Sequence, residues 1–188
     1  METVVYLIRH SVRFNNKNLI EKYNTNQSEL IKYEKIILSV TGEKRAEILS
    51  NEKELQNIDE RFDERRPGKP NSDKVPDWYE RQFFDENYKT EGGESQAEVR
   101  QRMSEAFEEV VKDNKGKRIA IFSHGNAITF FLLKWCKLES VNINRNLCLS
   151  FNNKIVFNKR INSPDVFKIT LNDKNEVIGI ENIEFEDL

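Results

Sequence analysis

The clearest feature of the hydropathy pattern is a pair of short apolar runs that each lead into a histidine. The first run, "TVVYLI" at 3–8, is followed by Arg9 and His10, and the second, "RIAIF" at 118–122, lies two residues before His124. Continuously apolar runs of this length, rich in β-branched residues, are typical of strands that are buried on both faces. The pattern therefore predicts two interior strands, each with a histidine at its carboxyl end.

Two segments carry the pattern of packed helices. The segment "GESQAEVRQRMSEAFEEVVKD" at 93–113 begins with an S-x-x-E capping box formed by Ser95 and Glu98. Its apolar residues fall at helical spacing on one face; they are Val99, Met103, Ala106, Phe107 and Val110. The segment "NAITFFLLKWCKL" at 126–138 is apolar nearly all round, which predicts a buried helix. A further helix is predicted from Thr41 through "TGEKRAEILSNEKEL".

The rest of the pattern suggests the architecture. Residues 59–93 are rich in charge, proline and glycine and predict an irregular segment, whereas β-rich segments recur from about residue 147, with a hairpin turn at "NDKNE", 172–176. The order of elements favours an α/β fold, a three-layer sandwich with a mostly parallel central sheet, helices on both faces and a β-rich C-terminal segment. No repeat or linker divides the chain, so we expect one domain over residues 1–188.

Composition narrows the classes of function. With 30 basic and 32 acidic residues and a net charge of −2, the chain shows no bias toward binding nucleic acid or a membrane surface. No apolar run is long enough to span a bilayer and no signal segment is visible, so we expect a cytoplasmic protein. The two histidines and two cysteines are too dispersed for a zinc site, and we expect Cys136 and Cys148 to be ordinary buried thiols. The oligomeric state is left without a prediction.

The two predicted strands bring together chemistry that suits an anion. Ligands of open α/β sheets bind beyond the carboxyl ends of the strands, so His10 and His124 meet there if their strands are parallel neighbours. The helix that starts after Gly125 offers free N–H groups and a positive dipole end, and glycine lets the backbone approach a ligand closely. Arg9 adds a fixed, charged fork that matches phosphate oxygens. These residues predict an anion site whose donors fit phosphate.

The residues around both histidines also resemble a known family. "LIRHSVRFNN" and "IFSHGNAI" are similar, in this order, to the two signature motifs of the histidine phosphatase superfamily, the phosphoglycerate-mutase-like proteins. The family's asparagine six residues after the first histidine corresponds to Asn16. Weaker matches are "LSVTGEKRA" at 38–46, "ERRPG" at 64–68 and "GES" at 93–95. The ordered matches extend from residue 4 to about residue 133.

The resemblance implies chemistry at phosphorus. A neutral imidazole nitrogen of His10 would attack a phosphate monoester and form a phosphohistidine, which water then hydrolyses. Arg9, Asn16 and His124 would bind the equatorial phosphoryl oxygens, because phosphoryl transfer depends mainly on positioning and charge stabilisation. The implied partner is a small phosphorylated molecule, and the scheme requires no metal and no cofactor.

An acid is also required, because the departing alkoxide must be protonated. Glu64, in the segment that resembles the family's acid-bearing motif, is the candidate that the resemblance implies. Glu94 is the alternative, although we expect it to shape the turn before Ser95. The competing interpretation of Glu64 is a loop carboxylate among arginines.

Two departures from the family pattern bear on activity. Ser11 stands where the family usually has glycine, which adds bulk and a hydroxyl beside the phosphate. The chain also passes from "NEKELQNID" to "ERFDERRPG" without the family's intervening strand and the segment that supplies a further phosphate-binding arginine. Either another arginine substitutes, or a segment is missing at the Asp59–Glu60 junction. The available arginines are Arg13, Arg65 and Arg66, and Arg65 is taken as a candidate phosphate-binding residue.

Three functions remain open on this evidence. The leading hypothesis is a phosphatase that hydrolyses phosphate monoesters through His10. A phosphomutase of the phosphoglycerate type would use the same histidine in a more enclosed pocket. A catalytically weak module that binds a phosphorylated ligand is favoured by Ser11 and by the missing arginine segment.

Overall fold

The computed structural model describes residues 1–9, 59–69, 78–142, 144, 146–162 and 164–183, with the backbone alone at 78 and 79. In chain order the elements are β1 (Thr3–Arg9), a 3₁₀ helix (Glu60–Phe62), α1 (Trp78–Phe84), α2 (Gln96–Asp113), β2 (Arg118–Ser123), α3 (Gly125–Leu132), β3 (Lys137–Val141), β4 (Leu147–Phe151), β5 (Lys154–Lys159), β6 (Val166–Leu171) and β7 (Val177–Ile183). The helix predicted from Thr41 lies outside the described residues.

The larger sheet has four strands in the order β2-β1-β6-β7. Strand β1 runs parallel to β2, with Arg9 opposite Ser123, and antiparallel to β6, with Ile8 opposite Val166. The predicted parallel pairing of the two histidine-bearing strands is therefore confirmed. A mostly parallel sheet is not confirmed, because β6 and β7 form a hairpin and two of the three pairings in the described sheet are antiparallel.

The second sheet is antiparallel, with strands in the order β3-β4-β5. It accounts, together with β6 and β7, for the predicted β-rich C-terminal segment. The hairpin turn predicted at 172–176 is present, where the Asn172 side-chain oxygen accepts hydrogen bonds from the N–H groups of Lys174 and Glu176. The result is a mixed α/β fold, while the three-layer arrangement stays a prediction.

Helix α2 forms as its sequence predicts. The Ser95 hydroxyl accepts a 3.2 Å hydrogen bond from the Glu98 N–H, and the Glu98 carboxylate accepts one of 2.8 Å from the Ser95 N–H. This capping box satisfies two donors that would otherwise lack partners at the helix start. The apolar stripe is buried at Val99 and Met103, and it packs α2 against α3.

Helix α3 is shorter than predicted. It ends at Leu132, and the apolar run continues into a turn and the start of β3 rather than a helix to residue 138. The N–H groups of Trp135 and Cys136 both donate to the Leu132 carbonyl, at 3.0 and 2.8 Å, which closes the turn. The Trp135 ring packs edge-on against Phe131, with 5.1 Å between centroids. Burial in the core, not helical spacing alone, therefore sets the apolar pattern here.

Two further expectations are corrected by the fold. Strand β2 is not buried on both faces, since Ala120 is exposed and pairs with Tyr6, which is only half-buried. Residues 59–93 are not irregular throughout, because Trp78–Phe84 forms α1. Both cysteines are free thiols, as expected, but only Cys136 is buried, whereas Cys148 is half-buried. No helix in the described ranges is long and apolar enough to cross a membrane.

Candidate active site

Arg9 and His124 lie at the same edge of the larger sheet. The parallel register places Arg9 opposite Ser123, the residue directly before His124. The Arg9 guanidinium also lies against the start of α3, where a β-carbon built onto Gly125 would be 3.5 Å from Nε and 3.7 Å from Cζ. The structure thus brings together three of the residues predicted from the sequence, Arg9, His124 and Gly125.

Arg9 is held from the other side by the loop between β5 and β6. Its backbone N–H donates to the Asp165 carbonyl at 2.9 Å, and its Nη1 donates to the Ile161 carbonyl. Asp165 is 4% exposed, and its carboxylate accepts a hydrogen bond from the Asn162 N–H and pairs with Lys159 at 3.1 Å. The buried carboxylate of Asp165 therefore folds the loop whose carbonyls fix Arg9.

His124 begins α3 without capping it through its side chain. The residue has extended backbone angles, φ −126° and ψ 163°, and its carbonyl accepts the hydrogen bond from Ile128 N–H at 2.8 Å. No capping hydrogen bond joins its imidazole to the helix. The imidazole is half-buried at the carboxyl end of β2 and is not used to satisfy the first N–H groups of the helix.

Glu64 supplies the missing helix cap. Its Oε1 accepts hydrogen bonds from the N–H of Ala127 at 3.0 Å and from the N–H of Arg65 at 2.9 Å. A carboxylate at this position satisfies a free donor and suits the positive end of the helix dipole. The contact joins residues 63 positions apart, and it places Glu64 at the edge that also carries Arg9 and His124.

Glu64 belongs to the motif segment 64–68, which packs directly against the motif segment 93–95. The Glu94 N–H donates to the Arg66 carbonyl at 2.9 Å. Gly68 has φ +65°, and a β-carbon there would lie only 2.5 Å from the Gly93 nitrogen. The contact therefore requires glycine at residue 68, both for its backbone angle and for its lack of a side chain.

Arg102, on α2, ties down the chain that leads to Glu64. Its Nη1 donates to the carbonyls of Arg61 and Asp63, at 2.7 and 3.0 Å, and its Nη2 donates to the carbonyl of Glu64 at 3.3 Å. One guanidinium thus binds three carbonyls within four residues. Sequence reasoning missed Arg102, although its place three residues after buried Val99 is a charged position at the border of the apolar stripe.

Glu94 is the partner of Arg102. It is 6% exposed, and Oε1 and Oε2 lie 2.9 and 3.1 Å from Arg102 nitrogens. Oε2 also accepts the Arg66 N–H at 2.9 Å. Burial acts to raise the pKa of Glu94, but the hydrogen bonds from Arg102 and Arg66 outweigh it and lower the pKa below its ordinary value. Both oxygens are occupied by protein donors, and this geometry favours the turn-shaping role over that of the alternative acid.

Arg65 points into protein rather than along the sheet edge. It is 3% exposed, with Nε donating to the Glu94 carbonyl at 2.9 Å and Nη1 to Gln82 Oε1 at 2.7 Å. The guanidinium lies 5.8 Å from the centroid of the Phe130 ring, and burial lowers the pKa of the side chain. Nη2 is buried without a hydrogen-bond partner, so it is the nitrogen that remains for another acceptor. Arg66 is exposed and approaches Glu94 at 3.6 Å.

Four of the sequence-predicted positions lie outside the described residues: His10, Ser11, Arg13 and Asn16. His10 directly follows Arg9, the last residue of β1. Asp59, at the Asp59–Glu60 junction, caps the 3₁₀ helix, with its side chain accepting the Arg61 N–H at 2.9 Å. Within the described ranges no group of three or more histidine, cysteine or acidic residues is arranged to hold a metal ion.

Comparison with known proteins places this geometry in a family. The family model for the histidine phosphatase superfamily (branch 1) matches residues 39–154, more than half of the 188-residue chain. No curated protein sequence matches the chain.

Solved structures similar to the chain cover nearly all of its length. A mycobacterial glucosyl-3-phosphoglycerate phosphatase superposes with a TM-score of 0.58 at 13% identity, covering 97% of each chain. YhfR from Bacillus stearothermophilus superposes with a TM-score of 0.56 at 17% identity, covering 93% of this chain and 94% of that one. A complex of the mycobacterial phosphatase with inorganic phosphate gives 0.55 at 14% identity, covering 96% and 95%. These structures establish the fold, and with the family match they show that the chain belongs to the histidine phosphatase superfamily.

Proposed function

We propose that this protein is a phosphatase that hydrolyses small phosphate monoesters through a phosphohistidine on His10. The observation that carries the proposal is the meeting of Arg9, His124 and the Glu64 carboxylate around the start of α3. An arginine and free helix N–H groups attract a phosphoryl group, and a carboxyl group can move a proton to a leaving oxygen.

The proposed reaction has two displacement steps. A neutral imidazole nitrogen of His10 attacks phosphorus, and a P–N bond forms as the bond to the ester oxygen breaks. The ester oxygen takes a proton from Glu64 and leaves as an alcohol. Glu64, now a carboxylate, accepts a proton from water, which attacks the phosphohistidine and releases inorganic phosphate while the P–N bond breaks.

The remaining groups would hold the phosphoryl oxygens. Arg9 and His124 are the described residues proposed for this role, with Asn16 as a further ligand and Gly125 leaving space for close approach. The carbonyls of Ile161 and Asp165 fix Arg9 through hydrogen bonds. This supports Arg9 as a phosphate ligand, because donors that need no reorganisation stabilise developing charge best. Arg65 is not proposed as a direct ligand, because its guanidinium is buried and points away from this edge, and it would contribute through its positive charge alone.

The proton-transfer role of Glu64 is supported by how its two oxygens are used. Oε1 is held by the N–H groups of Arg65 and Ala127. Oε2 makes no hydrogen bond within the described part of the chain, which leaves it for a leaving oxygen or a water molecule. The structural comparison adds a related protein bound to inorganic phosphate, and this supports a ligand of the same size here.

The test compares release of phosphate from p-nitrophenyl phosphate by the natural protein and by His10→Ala. We expect the rate to fall by at least about 10³-fold, because the covalent route is lost. Rapid quenching of the reaction without acid should trap an acid-labile phosphoryl group on the natural protein and none on His10→Ala. Circular dichroism checks that His10→Ala is folded. Equal rates for the two proteins would show that the phosphohistidine mechanism is wrong.

The same assay separates the alternatives. Adding an alcohol acceptor and recovering phosphoryl transfer in place of phosphate release would favour the mutase. Tight binding of inorganic phosphate without turnover would favour the catalytically weak module that binds a phosphorylated ligand. Ser11 and the missing arginine segment are the sequence features that support this alternative.

A further inference from the structure

We propose that Arg102 and Glu94 are positioning residues that fix the Glu64 carboxyl group for proton transfer. The inference rests on the proposed function, since it assumes that Glu64 protonates the leaving group. Neither residue has a place in the two-step scheme above, yet both are in direct contact with the chain on each side of Glu64.

The first part of the argument is the convergence of carbonyls on Arg102. Three carbonyl oxygens within residues 61–64 accept hydrogen bonds from one guanidinium, the last of them belonging to Glu64 itself. Hydrogen bonds from a charged donor are stronger than neutral ones, and the planar fork sets their directions. Arg102 therefore fixes the peptide planes that lead into Glu64.

Glu94 completes the hold on the other side of Glu64. It binds Arg102 through both oxygens and accepts the N–H of Arg66, two residues after Glu64. The backbone is therefore fixed at and after Glu64, because Arg102 binds the Glu64 carbonyl and Glu94 binds the N–H of Arg66. Between these two contacts, the Arg65 N–H donates to the Glu64 carboxylate. The backbone that Arg102 and Glu94 fix therefore also orients the Glu64 side chain.

Burial makes the pair a firm anchor. The Glu94 side chain is 8% exposed and that of Arg102 is 20% exposed. In such a setting, charge-assisted hydrogen bonds are strong, and the removal of one partner leaves the other charge poorly solvated. A lysine in place of Arg102 would keep the charge but could not reproduce the fork that reaches three carbonyls and a carboxylate.

The residues that bind Glu64 lie on two helices that pack against each other. Arg102 is on α2, and Ala127, which donates to the carboxylate, is on α3. The two helices are joined by Phe107 and Phe131, whose ring centroids are 5.1 Å apart. Two packed helices therefore fix the position of the Glu64 carboxyl group, although Glu64 itself lies in a loop.

The consequence is a specific kinetic signature. An alkyl phosphate needs its leaving oxygen protonated, whereas 2,4-dinitrophenyl phosphate releases a stable anion and needs little help. Displacement of Glu64 should therefore slow hydrolysis of the alkyl phosphate far more than hydrolysis of 2,4-dinitrophenyl phosphate. Displacement of a reacting group by about 1 Å can cost about 10²-fold in rate.

The experiment measures kcat/KM for both substrates in the natural protein, Arg102→Gln, Arg102→Lys and Glu94→Gln. We expect the value for the alkyl phosphate to fall about 10²-fold and that for the dinitrophenyl ester much less. Arg100→Gln is the matched control, because Arg100 lies on the same helix and its guanidinium, within the described residues, bonds to Gln96 and Glu86 and not to the chain around Glu64. Equal losses for the two substrates in the Arg102 variants would overturn the proposal.

A second measurement does not depend on activity. Amide hydrogen exchange at the N–H groups of Arg66 and Ala127 should be faster in Arg102→Gln and unchanged in Arg100→Gln. Exchange in the β6–β7 hairpin should be the same in all proteins, which shows that the fold is intact. Unchanged exchange at Arg66 and Ala127 in Arg102→Gln would overturn the positioning role. A natural protein that hydrolyses neither ester would instead contradict the proposed function, and the exchange data would still decide the inference.

Discussion

The Glu64 carboxylate accepts a 3.0 Å hydrogen bond from the Ala127 backbone N–H, so a loop residue caps the helix that His124 begins. Glu64 therefore has two roles, helix capping through Oε1 and, as proposed, proton transfer through Oε2. The two tasks respond differently to substitution, because an amide oxygen can still accept the N–H bond but an amide cannot donate a labile proton as an acid does.

The first prediction separates these tasks. Glu64→Gln should reduce kcat/KM for an alkyl phosphate by about 10²–10⁴-fold, the usual contribution of a general acid. Glu64→Ala should show the same kinetic loss and a further destabilisation of about 1 kcal/mol, because the cap is lost as well. Urea denaturation and steady-state kinetics measure the two effects. Full alkyl phosphatase activity in Glu64→Gln would exclude Glu64 as the acid.

The second prediction concerns the loop that holds Arg9. Asp165→Asn removes the charge that pairs with Lys159, and we expect it to loosen the Ile161 contact and raise KM for p-nitrophenyl phosphate more than it lowers kcat. Asp173→Asn, in the exposed turn of the β6–β7 hairpin, is the control. If both variants bind substrate equally well, Asp165 does not position Arg9.

The third prediction follows from the depressed pKa of Glu94. Glu94→Gln should destabilise the protein at pH 7 by about 2–4 kcal/mol, since it leaves Arg102 without its buried partner. A carboxyl whose pKa is lower in the folded state stabilises the fold above its ordinary pKa, and that contribution is lost as the pH falls through the folded-state value. The difference in unfolding free energy between the natural protein and the variant should therefore narrow as the pH falls below 4.5, the ordinary pKa of this carboxyl group, in urea denaturation. A gap that stays constant with pH would contradict the shift.

The fourth prediction tests the packing of the two motif segments. Gly68→Ala should destabilise the fold by about 1–3 kcal/mol, because alanine is strained at φ +65° and its β-carbon would meet the Gly93 nitrogen. Gly179→Ala is the matched control, since the nearest atoms to a β-carbon there are 3.6 Å away on Thr170. Thermal unfolding of both variants measures the difference, and similar melting temperatures would contradict the tight contact.

The fifth prediction concerns the buried thiol. Burial raises the pKa of Cys136 to about 12, so the reactive thiolate is almost absent at neutral pH. Iodoacetamide should leave Cys136 unmodified in the folded protein and label it after denaturation in urea. Mass spectrometry of proteolytic peptides distinguishes the two states. Rapid labelling of Cys136 under native conditions would show that the site opens.

Local signals account for what the sequence predicts correctly. The capping box of Ser95 and Glu98 and the hairpin turn after β6 depend on residues that are neighbours in the chain. The convergence of Arg9 and His124 needed one tertiary assumption, that β1 and β2 are parallel neighbours, and the register confirms it.

The features that sequence reasoning missed depend on contacts between distant segments. The turn after Leu132 packs the Trp135 ring against Phe107 on α2, with 5.8 Å between centroids, which apolar spacing does not encode. The role of Arg102 depends on carbonyl oxygens, and every residue type offers one, so no side-chain pattern could indicate which loop it binds. The same holds for the carbonyls that fix Arg9.

The position of β1 in the larger sheet also has a consequence for how the protein folds. Both partners of β1, the strands β2 and β6, lie more than 100 residues later in the chain. On a ribosome, residues 3–9 therefore remain without these two sheet partners until more than 100 further residues have been synthesised. Pairings that close such long loops are slow to form. We expect the edge that carries Arg9 and His124 to be assembled late in folding, after the locally stabilised α2 and the C-terminal hairpins.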